Sequence, residues 1–363
     1  MRRLVCVALI VVLRAPVFAA APEAAGAFPT AGEIYNDACA SCHGTDGRGA
    51  PEGTALSVPL PDFTDCNFVT REGTGNWHFL LVHGGVGLGL SPQMPAFAGV
   101  LSEPQIDAVL EHLRSFCHDP RWPRGDLNFP RLLLTDKAFP EDEVVLVPSF
   151  TKGRDQTREW NADTLIEHRV GTRAQVEMSV PLALHDARDG PTTGGVGDVA
   201  LAYKHVLYAN APSRTIASAS IDLVVPSGDR HRGLGSGTVS FEPALLAGKQ
   251  IGRLVLQAQV QGIAPVDETR ADRAVRYLLA CSYATAALRR APVASIELET
   301  LHDVTARQTN LFVTPELYVG LSKRGHIGVA LGAQVPVAGD ADPFDYRVLG
   351  FVLWDYADGG LWW

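Results

Sequence analysis

Cys39, Ala40, Ser41, Cys42 and His43 form a C-x-x-C-H run. Its two thiols can add across the vinyl groups of a haem, while the adjacent imidazole coordinates the iron from one face. A redox-active C-x-x-C does not require the histidine, and a zinc site needs a second ligand pair that this segment lacks. The spacing therefore points to one covalently attached c-type haem, with His43 as an iron ligand.

A sixth ligand should come from a later loop, and Met94 is the only methionine between the amino-terminal segment and position 178. Pro92 and Pro95 flank it and hold an extended loop that can fix a thioether over iron, which favours the ferrous state. A lone methionine is more commonly core filler. The rival ligands are His78 and His83, in a helical stretch where a histidine ordinarily packs or faces solvent.

Elements that could position these groups are legible. Thr30 and Glu33 make a capping box, and Ile34, Tyr35 and Ala38 continue a helical stripe toward Cys39. Gly44, Gly47 and Gly49 then end the helix and let the backbone approach a porphyrin edge. Ser102 and Gln105 make a second capping box, before an amphipathic helix carrying Ile106, Val109, Leu110 and Leu113. Over residues 28–118 this order of helix, glycine-rich loop, middle helix, Met-Pro loop and terminal helix resembles a class I mono-haem cytochrome c. The resemblance implies an all-α domain, His43 and Met94 as axial pair, haem c with its iron as cofactor, and single-electron transfer rather than substrate conversion. Cys66 and Cys117 are left over. An oxidising compartment allows them to pair, but the sequence leaves a disulfide and two buried thiols equally open.

The first residues, MRRLVCVALIVVL, read as a secretory signal ending near Ala19, too short for a membrane helix. Residues 20–120 hold twelve Asp or Glu against three Arg and no Lys, so most of the net charge of -9 lies there. Such a segment repels nucleic acid and suits a redox partner with a basic docking face, although solubility alone explains it equally well.

Beyond a proline-interrupted stretch at 119–141, the apolar periodicity changes to two. Val176, Met178, Val180 and Leu182 alternate with polar or small neighbours, as do Leu254, Leu256, Ala258 and Val260. About twelve such strands recur to the end. Short connections such as 170–173 alternate with long polar ones such as the run from Ser227, and Trp362 and Trp363 close the chain. This pattern looks like a bacterial outer-membrane β-barrel, antiparallel and transmembrane, with its first residues facing the periplasm.

The expected organisation is multidomain: a signal at 1–19, an all-α cytochrome c domain at 20–118, a linker at 119–141 and a β-barrel at 142–363. Glu177, Gln257, Gln259, Gln261, Glu297 and Glu299 should face inward and either line a passage or pack a closed lumen; Cys281 reads as a small strand residue. The leading expectation is a periplasmic electron carrier tethered to the outer membrane, passing electrons to a partner docked at or in the pore. A redox-gated porin, and a haem subunit of a periplasmic oxidoreductase with a soluble β domain, are the alternatives. No nucleophile or general acid-base pair points to an enzyme.

Overall fold

The computed structural model describes residues 29–356 except 55, 57, 59, 187–191, 288–289 and 342–343. The expected signal segment and the terminal Trp362 and Trp363 lie outside the described residues.

The helical part comprises α1 (Ala31–Ala38), α2 (Ala40–His43), α3 (Cys66–Arg71), α4 (Thr74–Gly87) and α5 (Glu103–Ser115). Both expected capping boxes form, at Thr30 with Glu33 and at Ser102 with Gln105. One apolar core gathers Ile34 and Tyr35 of α1, Trp77 and Leu81 of α4, and Ile106, Val109, Leu110 and Leu113 of α5. Ala38, expected on the buried stripe, is exposed. The apolar face of α1 therefore ends one turn before the cysteines.

Thirteen antiparallel segments follow: β1 (Glu143–Lys152), β2 (Arg158–Val170), β3 (Ala174–Asp186), β4 (Thr193–Val196), β5 (Val199–Asn210), β6 (Thr215–Val225) and β7 (Ser240–Ile251), then β8 (Leu254–Pro265), β9 (Ala274–Ala284), β10 (Val293–Asp303), β11 (Gln308–Gly320), β12 (Ile327–Gly339) and β13 (Tyr346–Asp355). β4 and β5 both pair with β3, so together they occupy one position in the sheet, which makes twelve strands. Pairing of β1 with β13, from Glu143 opposite Asp355 to Lys152 opposite Tyr346, closes the sheet into a barrel without edges.

Side-chain orientation fixes the environment of that barrel. Leu245, Leu279 and Leu331 point outward and are 62%, 53% and 64% exposed, whereas Gln259, Glu297 and Gln334 point inward and are at most 2% exposed. An apolar outer belt around a polar interior is the pattern of a membrane-spanning barrel, and it excludes a soluble β domain, which would bury its apolar face. The alternation of loop lengths is less regular than the sequence suggested. The connection at 285–292 is long on the side of short turns, and that at 304–307 is short on the other side.

The segment expected to be a linker instead enters the barrel. Residues 125–142 run into its interior, and Leu127, Phe129, Ala138 and Phe139 pack on the inward-facing Val206, Ile216, Leu246 and Val255. Leu133 joins a second cluster with Val145, Ala330, Leu349, Phe351 and Leu353. The expectation of a partner in the pore meets this directly, because at the end facing the helices the interior is taken.

The helical domain rests on the rim where β1 begins and β13 ends. The Arg71 guanidinium lies 3.1 Å from Asp142, which also accepts the Arg169 N–H at 3.0 Å, and the Asn76 amide donates to the Arg324 carbonyl at 2.9 Å. His326, on the turn between β11 and β12, lies 3.4 Å from Glu72 of the helical domain and 3.5 Å from Asp355 of β13. Asp126 at the mouth accepts from the Thr74 N–H at 3.0 Å and faces Arg214 of the barrel at 3.2 Å.

Gly75 abuts the rim so closely that a Cβ there would lie 1.9 Å from the Ala287 carbonyl oxygen. Gly75→Leu should therefore lift the domain. Overpacking costs about 1–3 kcal/mol, so trypsin cleavage after the exposed Arg121 should accelerate roughly ten-fold. An unchanged cleavage rate would show that this contact does not hold the domain down.

Candidate haem site

The C-x-x-C-H residues lie on one helical turn. The N–H groups of Cys42 and His43 donate to the Cys39 carbonyl at 3.1 and 2.9 Å. Tyr35, fully buried one turn earlier, donates its hydroxyl to the Gly44 carbonyl at 2.7 Å and so ties the end of that turn to α1. Burial pushes the Tyr35 hydroxyl up to about 12, so it stays a neutral donor. In the glycine-rich loop that follows, a Cβ on Gly47 would meet the ring of Phe116, the residue just after α5, at 2.9 Å.

Cys39 and Cys42 are free, partly exposed thiols. Burial, with the charge of Cys42 second, pushes the Cys39 thiol up to about 11, which keeps it protonated. Burial also lowers the pKa of His43, leaving the neutral imidazole that donates a lone pair to a metal. Its Nδ1 is buried without a hydrogen-bond partner, and its ring stands 5.1 Å from that of Phe63. Among the described residues no group of three or more His, Cys, Asp or Glu converges on a metal position. Iron held here would need the four nitrogens of a porphyrin.

Met94 reaches the same apolar core as Cys39, both packing against it from the partly exposed side. α4 departs from helical geometry at Gly84, and the Met94 loop crosses that break: Gly85 N–H donates to the Met94 carbonyl at 3.0 Å, and Phe97 N–H to the Leu81 carbonyl at 2.8 Å. A Cβ on Gly85 would lie 2.1 Å from the Ser91 carbonyl oxygen and 3.2 Å from the Met94 Cβ. Gly85→Val should push the loop off the core and remove any spectroscopic sign of methionine ligation; a sign retained at full strength would mean that the loop is held elsewhere.

The rival histidines are engaged differently. His78 Nε2 lies 2.7 Å from the exposed Glu103, and His83 is exposed with its ring 4.2 Å from that of Phe79. Cys66 and Cys117, left open by the sequence, are joined as a disulfide between the start of α3 and the residues just after α5. Sequence reading also passed over Phe63 and Trp77, whose rings stand 5.9 Å apart and extend the wall beside His43, and the buried Arg114, whose guanidinium covers the Trp77 ring at 4.8 Å. Aromatic residues in helices and loops look like generic core, so the sequence carries no sign of this wall. A partly buried imidazole beside Phe63, two thiols three residues apart and a thioether on the same apolar core as Cys39 fit a covalently bound haem.

Residues 26–113 match the family model described as cytochrome C oxidase, cbb3-type, subunit III. This part of the chain is thus a cytochrome c domain, a family that implies haem and iron. No curated protein matches the chain. Solved structures similar to the barrel include the KdgM porin, with 10% identity, a TM-score of 0.41 and coverage of 58% of this chain and 98% of that one. An outer membrane channel from Pseudomonas putida F1 matches with 14% identity and a TM-score of 0.45, over 58% of this chain and 93% of its own. The beta domain of the Bordetella autotransporter BrkA matches with 10% identity and a TM-score of 0.39, over 59% and 100%. The membrane assignment rests on closure of the sheet and on its apolar outer belt.

Proposed function

We propose that the protein is a single-electron carrier of the periplasm, anchored in the outer membrane by its barrel. The observation that carries this reading is the placement of a cytochrome c domain on the barrel rim where the strand termini meet. Cys39 and Cys42 would hold one haem c covalently, and His43 and Met94 would coordinate its iron. The bound iron supplies reversible one-electron exchange. The chain's own residues supply the rest: the core around Trp77 and Phe97 excludes water, and the Gly84–Gly85 break seats the thioether. Electron transfer is the activity that these residues support.

An even number of strands puts both barrel ends, and with them the cytochrome domain, on one side of the membrane, and in this reading that side is the periplasm. Asp37, Asp46, Glu52, Glu103, Asp107 and Glu111 are all exposed on the domain, which favours a redox partner with a basic face. Association with such a partner should slow as ionic strength rises.

Met94→Ala tests the ligand assignment. The sulfur-to-iron absorption band at the red end of the ferric spectrum should vanish. The midpoint potential should fall by on the order of 0.1 V or more, within the roughly 0.8 V that axial ligation commands. A surviving band would assign the sixth position to another residue.

A further inference from the structure

The interior of the barrel is built to receive the chain's own connector. Residues 130–141 run inside it as an irregular segment whose backbone is bonded by the wall as a peptide ligand would be. Gln257 donates to the Pro130 carbonyl at 2.9 Å. Glu316 accepts the Leu133 N–H at 2.9 Å, and Glu297 accepts those of Leu134 and Thr135 at 2.9 and 2.8 Å. Gln259 accepts the Asp136 N–H at 2.8 Å and returns a bond to the Asp136 carboxylate at 3.0 Å. Farther along, Gln175 accepts the Glu141 N–H at 2.7 Å.

The wall is also shaped for the connector's side chains. At Gly248 of β7 a Cβ would lie 2.6 Å from the Phe129 ring, and at Gly332 of β12 a Cβ would lie 2.5 Å from a Leu133 methyl. These two positions lack side chains where the connector presents Phe129 and Leu133. Arg131 completes the fit, 3.2 Å from Glu143 and 2.8 Å from Glu167, each of them almost wholly buried.

Withdrawing the segment would expose, among the polar groups of the lumen, apolar patches that water does not suit. Val206, Ile216, Leu246 and Val255 face inward and are at most 2% exposed with the segment in place. Glu143 and Glu167 would lose the guanidinium between them, and charges left unpaired in this way are costly. A gate that opens in ordinary function needs a wall suited to water once the gate has left, and this wall instead shares an apolar core with its occupant.

We infer that the lumen is the permanent seat of residues 125–142, so that the barrel conducts no solute and serves as a closed mount. Electrons then leave the cytochrome domain only toward partners on its exposed, domain-side face, because a carrier inside the barrel has no room at the mouth. This inference rests on the membrane-barrel reading, and heat-modifiable migration of the purified protein checks that reading separately from conductance.

The experiment is planar-bilayer recording of the full-length haem protein under oxidising and then reducing conditions, beside a variant with residues 127–140 replaced by a Gly-Ser segment of equal length. The native protein should give no conductance steps in either state, and the replaced variant should give discrete steps. Steps from the native protein in either state would overturn the inference, as would a heat-modifiable replaced variant that stays silent. If the replaced chain does not fold, Gly332→Leu, which fills the notch that Leu133 occupies, should open steps on its own, and its silence would count against the inference in the same way.

Discussion

Replacing Cys39 and Cys42 together by serine should abolish haem staining of the denatured polypeptide, from full intensity to none. Thioether bonds survive denaturation, whereas a haem held only by His43 and Met94 is released with the fold. No other free cysteine among the described residues belongs to the domain: Cys66 and Cys117 are joined to each other, and Cys281 is on β9. The barrel should be unaffected, because its closure between β1 and β13 and its filling by residues 125–142 involve neither thiol. The doubly substituted protein should keep its heat-modifiable migration while losing its stain. Persistent staining would show that the attachment lies elsewhere.

Loss of the Cys66–Cys117 bond is the second change with a large effect. The cysteines are 51 residues apart in sequence, and a cross-link over such a loop stabilises by roughly 4 kcal/mol in the chain-entropy account. For a domain of about 90 residues that corresponds to a fall of very roughly 15–30 °C in the midpoint of its thermal transition. The bond also has a local consequence. It joins α3, which carries Arg71 to Asp142 on the barrel, to the residues that start the descent into the lumen. Cys66→Ser with Cys117→Ser should therefore lower the melting of the cytochrome domain, followed by its haem absorption, with a smaller effect on the barrel. A change of only a few degrees would show that packing around α3 and α5 carries the domain by itself.

Where sequence spacing coincides with a physical period, the fold could be read in advance. Inward and outward alternation at Gln257, Gln259 and Gln261 requires only that a strand has two faces, and a barrel must turn the apolar one toward lipid. The capping boxes at Thr30 and Ser102 are local in the same way. The cytochrome site was partly legible because attachment chemistry fixes its residues three and four positions apart. What supports those residues comes from distant parts of the chain. Phe63 beside His43, the Gly84–Gly85 break beneath Met94 and the contact of Gly47 with Phe116 are products of helix packing, and no spacing announces them.

The connector was the largest omission. Its prolines and scattered apolar residues read as a spacer because their partners, Leu246, Val255, Glu297 and Glu316, come more than 100 residues later. The inward-facing carboxylates and amides were legible as lumenal groups but not as backbone acceptors and donors for residues 130–141. Gly248 and Gly332 are the notches that take Phe129 and Leu133, a role that only the folded barrel gives them. A segment that is polar along its backbone and apolar at a few side chains resembles a linker until its container is known.

The central claim is that one polypeptide carries both a covalent haem and a membrane-embedded barrel, with the first fixed to the second. Separation of membranes from soluble contents, followed by haem staining of gels run with unheated and heated samples, tests it most directly. The account predicts a stained band in the outer-membrane fraction that resists high salt, dissolves in detergent and changes mobility on heating. A stained band of full length that remains in the soluble fraction and migrates identically with and without heating would contradict it.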